Sequence, residues 1–223
     1  MKATLTFTHQ IFCGRKTAGS FWFLCVNVID PTVTTLYVWK SDDGSTWLDA
    51  GTRIQLPLRG AMEPHVSETR DGRIILVMRN QLGSLFLSES KDGGEHWSLP
   101  QTAGLRTPKS CPELTRIPKT GDLLMIWNNS PYDPGFASHY GKRSPLSAAV
   151  SKDEGRTWTS VGDIETDRGR AFSNPGCRFT SEGTAIVNYW TCRYTPEWRM
   201  QDVIDLRVAV IEPDWFYKSR RMA

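Results

Sequence analysis

Short runs of apolar residues between polar turns dominate the hydrophobic pattern of the 223-residue chain. Clear examples are Arg73–Arg79 and Asp122–Asn128, where aliphatic, β-branched and aromatic side chains follow one another. Residues of these types favour strands over helices. Since no run shows the period of a long amphipathic helix, the pattern predicts an all-β protein in which any helix has one or two turns.

A turn with the pattern Ser-x-Asp-x-Gly-x-x-Trp follows two of the predicted strands. It occurs at Ser90–Trp97 and Ser151–Trp158, and Lys40–Trp47 is a third copy with Asp42 at the Asp position. In such a turn the Asp accepts hydrogen bonds from backbone N–H groups, and Gly takes a conformation that other residues resist. The Trp packs beneath the turn. Three copies, each after an apolar strand, indicate a repeated structural unit.

A second repeat precedes the apolar strands. Glu63-Pro64, Cys111-Pro112 and Asn174-Pro175 are each followed eight or nine residues later by Gly and then by a strand. The sequence of each unit predicts a strand, a turn and a second strand. Two units continue into a third predicted strand that ends in the Ser-x-Asp-x-Gly-x-x-Trp turn. Repeated units of roughly 40–60 residues are the sequence signature of β-propeller blades.

The repeats define the expected domain organisation. We predict that residues 1–223 form a single partial β-propeller domain. Its blade-like units are predicted at about 20–57, 61–105, 109–163 and 170–216. The loop 130–142 is long and rich in Pro, Gly, Ser and aromatic residues. Long loops inside compact folds are usually either functional or disordered.

Composition and charge argue against nucleic-acid binding and against a membrane span. The net charge is +3, and the charge is too dispersed for a nucleic-acid-binding surface. No stretch of 18 apolar residues predicts a membrane span, and the segment at the start of the sequence lacks the apolar core of a signal peptide. The localisation stays open.

Cysteine and histidine usage argues against a metal site. The five cysteines are an odd number without a CxxC pair, which favours buried free thiols over a disulfide scaffold. The four histidines are scattered along the chain. We therefore expect no metal and no cofactor.

From about Leu36 to Phe216 the chain resembles the exo-α-sialidases (neuraminidases), which are six-bladed β-propellers with Asp boxes on the blade rims. The resemblance is strongest in Met62–Trp97 and Arg116–Trp158. It implies a sialidase-like six-bladed β-propeller with about four blades in this chain. Four blades cannot close a six-bladed ring, and the family's first arginine and acid/base Asp have no counterpart here. The resemblance therefore suggests an N-terminally truncated member.

The resemblance also assigns candidate site residues. Sialidases bind the substrate carboxylate with three arginines, because a planar guanidinium donates two parallel hydrogen bonds to a carboxylate. Arg79 and Arg143 stand where the family has its second and third arginines. Glu63 stands where the family has the Glu that activates a nucleophilic Tyr. For each residue, the alternative is a surface or ion-paired side chain.

The nucleophile is where the chain departs from the family. The repeat places Asn174 in register with Glu63, at the position expected for the Tyr, and a shift of two residues places Phe172 there. Neither side chain can attack a sugar, so we assign Asn174 to substrate binding. Other tyrosines occur without a motif that places them, among them Tyr132, Tyr189 and Tyr194. Water is the remaining candidate nucleophile.

Three further side chains lie near the predicted site. His65 is two residues from Glu63 and would share its face in a regular strand, where it could line a pocket. Trp127 and Trp190 end second strands. Either could stack on a sugar, but core packing is the expected role of both.

Three functions are compatible with these residues. The first is a sialidase-type glycoside hydrolase that acts on terminal sialic acid or a related acidic sugar of glycoconjugates. The second is a non-catalytic, sialidase-like glycan-binding or structural propeller. The third is an Asp-box propeller for neutral glycans. The expected partner is an acidic glycan or sialoside, and the oligomeric state stays open.

Overall fold

The structure is almost entirely β. The computed structural model describes residues 10–14, 21–30, 33–43, 45–136, 139–201 and 203–218, with the backbone alone in 10–14 and 21–30. Within these ranges the chain forms fifteen strands and one short 3₁₀ helix, Pro213–Phe216. That helix has four residues, so the described ranges contain no helix able to cross a membrane. The all-β prediction is confirmed.

The strands form four sheets, and strands that follow one another in the chain are hydrogen-bonded neighbours. The first sheet contains β1 (Gln10–Gly14), β2 (Phe21–Asp30), β3 (Val33–Ser41) and β4 (Leu48–Ile54). The second contains β5 (Met62–Glu68), β6 (Ile74–Arg79), β7 (Ser84–Ser90) and β8 (Gln101–Arg106). The third contains β9 (Glu113–Arg116), β10 (Leu123–Asn128), β11 (Leu146–Ser151) and β12 (Thr159–Glu165). The fourth contains β13 (Arg170–Phe179), β14 (Ala185–Arg193) and β15 (Asp205–Ile211).

Four successive meanders of this kind fit the blades of a partial propeller. The sequence pattern predicts three strands per blade, whereas the first three sheets each have a fourth strand, β4, β8 and β12. These fourth strands consist mainly of exposed and half-buried residues and carry no apolar run. A strand with little buried surface gives little hydrophobic signal, which explains the difference.

The chain divides into two compact units, each with its own core. The first runs to Gln81 and includes Phe86–Thr102, and the second contains Leu82–Leu85 and the chain from Ala103. The core of the first unit is formed by buried residues of the first two sheets: Leu36, Val38, Ile54, Ala61, Ile74, Leu76 and Met78. The core of the second unit joins the third and fourth sheets with Phe216 of the 3₁₀ helix.

A close backbone contact ties β3 to the segment before β5. Thr34 donates its N–H to the carbonyl of Arg59 at 2.8 Å and accepts from the N–H of Ala61 at 3.0 Å. Gly60, between them, has φ = +91°, and a Cβ there would lie 2.0 Å from the carbonyl oxygen of Thr34. Only glycine fits this approach, which sets where β5 begins.

The Asp boxes are the turns with the Ser-x-Asp-x-Gly-x-x-Trp pattern, counted here in chain order. The second and third, Ser90–Trp97 and Ser151–Trp158, have the hydrogen bonds that their sequence predicts. Asp92 Oδ1 accepts from the backbone N–H of His96 at 3.0 Å and from Ser90 Oγ at 2.8 Å. Ser90 Oγ accepts from the N–H of Gly94 at 2.7 Å, and Trp97 Nε1 donates to the carbonyl of Gly94 at 3.0 Å. Residues 151–157 repeat the Ser, Asp and Gly contacts. The turn is therefore closed by its own side chains.

The first Asp box differs from the sequence prediction by one residue. The capping carboxylate is that of Asp43 rather than Asp42. Asp43 Oδ1 accepts from the N–H groups of Ser45 and Thr46 at 2.7 and 2.6 Å, and Ser41 Oγ donates to it at 3.0 Å. The alignment on Gly and Trp misses this, because this copy has one residue fewer between its Asp and its Trp.

Acid is expected to weaken the Asp boxes. The backbone and side-chain hydrogen bonds from His96, with that from Ser90, lower the pKa of Asp92 to about 2. Because the folded pKa lies below the unfolded value, this carboxylate stabilises the fold above about pH 4, and the contribution is lost as the pH falls through 2. We expect Asp92→Asn to flatten the pH dependence of the unfolding free energy between pH 4 and 2, as measured by urea denaturation.

The matched control for this experiment is Asp42→Asn, because Asp42 is not the capping carboxylate of its own turn. It is expected to retain the acid dependence of the wild type. If Asp92→Asn and the wild type lose stability in parallel over that range, the cap has no role in acid sensitivity.

Buried side chains of the second unit confirm two further predictions. Trp127 is 1% exposed, and its Nε1 donates to the carbonyl of Arg106 at 3.0 Å, so it is a core residue. Cys111, Cys177 and Cys192 are buried free thiols. The side chains of the two other cysteines, Cys13 and Cys25, lie outside the described part of the chain.

Candidate functional site

Glu63 and Arg79 form an ion pair at one end of the second sheet. Arg79 Nη1 donates to Glu63 Oε2 at 2.6 Å, and the side chains are 11% and 13% exposed for Arg79 and Glu63. The pair forms because Met62, next to Glu63, is the strand partner of Arg79. A nearly buried carboxylate and guanidinium hold each other in one geometry far better than an exposed pair does.

The backbone at Glu63 is strained. Glu63 has φ = +42°, and the pairing of β5 with β6 shifts register between Met62 and His65. Asn174 has φ = +51° at a register shift in β13, and like Glu63 it precedes a proline. Left-handed backbone is costly for a non-glycine residue and concentrates at functional sites. The two positions that the repeat aligns therefore share one uncommon conformation.

The same bulge corrects the expectation for His65. The argument that Glu63 and His65 share a face assumes a regular strand, in which side chains alternate. The register shift between Met62 and His65 interrupts that alternation. His65 is half-buried, and its distance of two residues from Glu63 no longer places it on the same face.

Arg143 is buried in the second unit, with 2% of its surface exposed. Its Nη1 donates to Ser173 Oγ at 2.7 Å, and its Nη2 donates to the carbonyl of Lys109 at 3.4 Å. Its backbone N–H donates to the hydroxyl of Tyr194 at 2.8 Å, and its carbonyl accepts from the N–H of Phe172 at 2.8 Å. These contacts fix both the guanidinium and the backbone of Arg143.

The loop 130–142 approaches its neighbours closely before it reaches Arg143. Gly141 has φ = +136°, and a Cβ at this position would lie 2.5 Å from the carbonyl oxygen of Pro131. Two residues before Gly141, the carbonyl of His139 accepts from the N–H of Lys109 at 3.0 Å. These contacts fix the backbone of the part of the loop that leads into Arg143.

The residues around the expected nucleophile position have three different environments. Phe172 is fully buried in the core of the second unit, and its ring centroid lies 5.9 Å from that of Tyr189. Ser173 is 1% exposed, with its hydroxyl on Arg143. Asn174 is exposed at the strained bulge. Sequence reasoning misses Ser173, and its only sequence signal is its place directly before the Asn-Pro pair.

Two tyrosines that the sequence could not place have defined partners. The Tyr189 hydroxyl donates to Glu165 Oε1 at 2.7 Å, and burial together with this carboxylate raises the pKa of Tyr189. Burial also raises the pKa of Tyr194 to about 12, although the nearby Arg143 opposes the shift. A phenol with a raised pKa stays protonated at neutral pH and is a weak nucleophile.

The candidate residues fall into two contact groups. Glu63 and Arg79 are in contact within the first compact unit. Arg143 and Ser173 are in contact within the second unit, which also contains Asn174. Among the residues that the structure describes, no group of three or more His, Cys, Asp or Glu side chains could hold a metal ion.

Comparisons with known proteins identify the family of this chain and proteins of similar fold. The family model described as a BNR repeat-like domain matches residues 8–215. A search of the curated proteins found no match to the chain. Among solved structures, the NanB sialidase of Streptococcus pneumoniae is similar with a TM-score of 0.66 and 17% identity, over 92% of this chain and 30% of that protein.

Two other sialidase structures show the same similarity. The Trypanosoma rangeli sialidase, in a covalent intermediate with 2,3-difluorosialic acid, has a TM-score of 0.62 and 15% identity over 86% of this chain and 29% of that one. The intramolecular trans-sialidase of Ruminococcus gnavus, in complex with oseltamivir carboxylate, has a TM-score of 0.64 and 14% identity over 94% and 44%. The chain thus spans less than half the length of these proteins. It belongs to the BNR repeat-like domain family and has a sialidase-like β-propeller fold with four blades.

Proposed function

We propose that this chain is part of a sialidase-type glycoside hydrolase that acts on terminal sialic acid or a related acidic sugar of glycoconjugates. The observation that carries the proposal is the Glu63–Arg79 pair, at 2.6 Å and nearly buried, on a strained bulge of a sialidase-like sheet. A structural ion pair needs no strained backbone. Strain at a paired carboxylate is typical of sites that hold a reactive group in place.

In this proposal the arginines bind the substrate and Glu63 moves a proton. A guanidinium has five N–H donors, so Arg79 can hold Glu63 and a ligand carboxylate together. For Arg143, whose guanidinium is oriented by Ser173 within the second unit, the family resemblance assigns the same role of carboxylate binding. Asn174, exposed next to Ser173, supplies an amide for the hydroxyl groups of the sugar. Glu63 accepts a proton from the attacking group, as a general base must.

A second candidate function is a non-catalytic, sialidase-like glycan-binding or structural propeller. It is favoured by Asn174, which occupies the position expected for the nucleophilic Tyr. A hydrolase built on these residues would need a nucleophile other than Asn174, with water as one candidate.

Two measurements on the whole protein that carries this chain separate these functions. Calorimetry with 2-deoxy-2,3-didehydro-N-acetylneuraminic acid reports binding, and release of the fluorophore from a 4-methylumbelliferyl sialoside reports turnover. Arg79→Lys keeps the charge but loses the bidentate geometry. We therefore expect it to lower the affinity for the analogue about tenfold or more. The matched control is Arg53→Lys, whose guanidinium pairs with Asp49 on β4.

Each outcome assigns one function. Binding with turnover supports the hydrolase, and binding without turnover supports the glycan-binding propeller. If the chain binds lactose but no sialic-acid analogue, the acidic-sugar proposal is wrong and a neutral-glycan propeller takes its place. If it binds neither, only the structural role remains.

A further inference from the structure

A groove lies beside β4, the last strand of the first sheet, within the first compact unit. Residues 50–55 line one side of it, and residues 95–100, from the second Asp box to the start of β8, line the other. Thr52 Oγ1 donates to the carbonyl of Glu95 at 3.4 Å and links the two sides. The volume of this β4 groove is about 540 Å³. Sites for small molecules have volumes of about 300–1,000 Å³, so the groove has the size of a ligand site.

The most buried lining residues give the β4 groove an apolar floor. Ile54 is 5% exposed and belongs to the core of the first unit, and Ala50 and Trp97 pack against that core. The indole of Trp97 is held in place, because its Nε1 donates to the carbonyl of Gly94 at 3.0 Å. Leu99 lines the same groove and is 84% exposed. The groove therefore offers a fixed apolar surface that includes an aromatic ring.

Three planar polar groups line the groove, and each is held by a partner outside it. The pairs are Arg53 with Asp49 at 2.9 Å, Gln55 with Thr35 at 2.7 Å, and Glu95 with Lys40. Side chains that are already held in one geometry lose little freedom when they bind a ligand. A guanidinium donates, a carboxylate accepts and an amide does both, which is the combination that the hydroxyl groups of a sugar require.

The charges along the β4 groove are compensated by its own neighbours. The guanidinium of Arg53 pairs with Asp49, and the carboxylate of Glu95 pairs with Lys40. An anionic ligand would have to compete with Asp49 for the guanidinium, and a cationic ligand would have to compete with Lys40. The charge pattern therefore favours an uncharged ligand.

The groove and the Glu63–Arg79 pair lie at opposite ends of the second sheet. Ile74, at the start of β6, pairs with Ser90, where the second Asp box begins. Arg79, at the end of β6, pairs with Met62 beside Glu63. A strand of six residues spans roughly 20 Å. A small ligand beside the Asp box is therefore too far away to contact the ion pair.

We propose that the β4 groove is a second carbohydrate site, which binds a neutral saccharide of one or two pyranose units. The apolar floor contacts the C–H face of a pyranose ring, and the three fixed polar side chains bind its hydroxyl groups. The site uses no residue of the proposed acidic-sugar site. Its occupancy therefore does not depend on the proposed function.

The test is calorimetry with lactose, maltose and cellobiose on the whole protein that carries this chain. Gln55→Ala removes the amide, and Thr52→Trp places a bulky ring in the groove. The matched control is Ser160→Trp, which adds the same ring at an exposed position of β12, the fourth strand of the third sheet. Melting temperatures establish that each variant is folded.

We expect the wild type to bind at least one of the three disaccharides. Gln55→Ala is expected to lower that affinity about fivefold to tenfold, the effect of one lost hydrogen bond, and Thr52→Trp to abolish binding. Ser160→Trp leaves the affinity unchanged. Arg79→Lys, which tests the acidic-sugar site, also leaves it unchanged.

Three results would overturn the proposal. If no disaccharide binds, or if Thr52→Trp binds as well as the wild type, the groove is not a saccharide site. If Arg79→Lys removes the binding, the disaccharide occupies the acidic-sugar site instead. An uncharged hexapeptide of alternating Thr and Val is the comparison ligand. If it binds, Thr52→Trp blocks it and no disaccharide binds, the groove takes an extended peptide beside β4 and the saccharide assignment is wrong.

Discussion

Replacing Glu63 with glutamine is expected to lower the turnover of a fluorogenic sialoside by about 10²- to 10⁴-fold, the usual contribution of a positioned general base. The amide keeps the shape of the side chain and an oxygen that can accept from Arg79 Nη1. It cannot take up a proton. Binding of the sialic-acid analogue is therefore expected to change much less than turnover.

The comparison between kcat and affinity makes this test specific. A residue that only supports the sheet would change stability, and through it both quantities together. The matched control is Glu68→Gln, at the other end of β5, which should leave turnover unchanged. Turnover that is the same in Glu63→Gln and the wild type would remove Glu63 from the reaction and leave its ion pair with Arg79 as a structural feature.

The second large effect concerns stability. We expect Trp127→Ala to lower the free energy of unfolding by about 3–5 kcal/mol, because it removes a fully buried aromatic side chain and leaves a cavity. Trp127 is 1% exposed, and its Nε1 donates to the carbonyl of Arg106. Truncation also leaves that carbonyl without this donor, which adds to the cost.

Urea denaturation of Trp127→Ala and Trp198→Ala measures this effect with an internal comparison. Both substitutions remove the same side chain, but Trp198 is 43% exposed on a turn. We expect Trp198→Ala to cost about 1 kcal/mol or less, as surface substitutions do. Similar losses in the two variants would show that burial does not set the cost of removing these side chains, and would contradict the prediction for Trp127.

The two contact groups of the candidate site differ in how far apart in the sequence their members lie. Glu63 and Arg79 are 16 residues apart, and adjacent strands bring them together. Arg143 instead depends on contacts with residues up to 51 positions away, among them Tyr194 and Ser173. The first group follows from a single β-hairpin with a bulge. The second requires the third and fourth sheets and the loop 130–142 to be in place.

This difference in sequence separation explains how much of the site the sequence could predict. The motif around Glu63 and Arg79 is local, so repeat and resemblance locate it, although the strained backbone is visible only in the structure. Ser173 and Tyr194 were not identifiable, because a serine before Asn-Pro and an isolated tyrosine carry no pattern of their own. The assignment of Asn174 to binding stays a prediction, now with a strained, exposed position as its structural basis.

The sequence by itself determined the all-β class, the succession of blades and the buried strands, because apolar runs and Asp boxes act over a few residues. An Asp box closes with hydrogen bonds inside a segment of eight residues, such as Ser90–Trp97, so its sequence nearly specifies its structure. Only the tertiary structure decided the fourth strands, the bulge at Glu63 and the contacts of Arg143 with Ser173 and Tyr194. Those features depend on weakly apolar strands and on contacts between residues far apart in the chain, which no local pattern encodes.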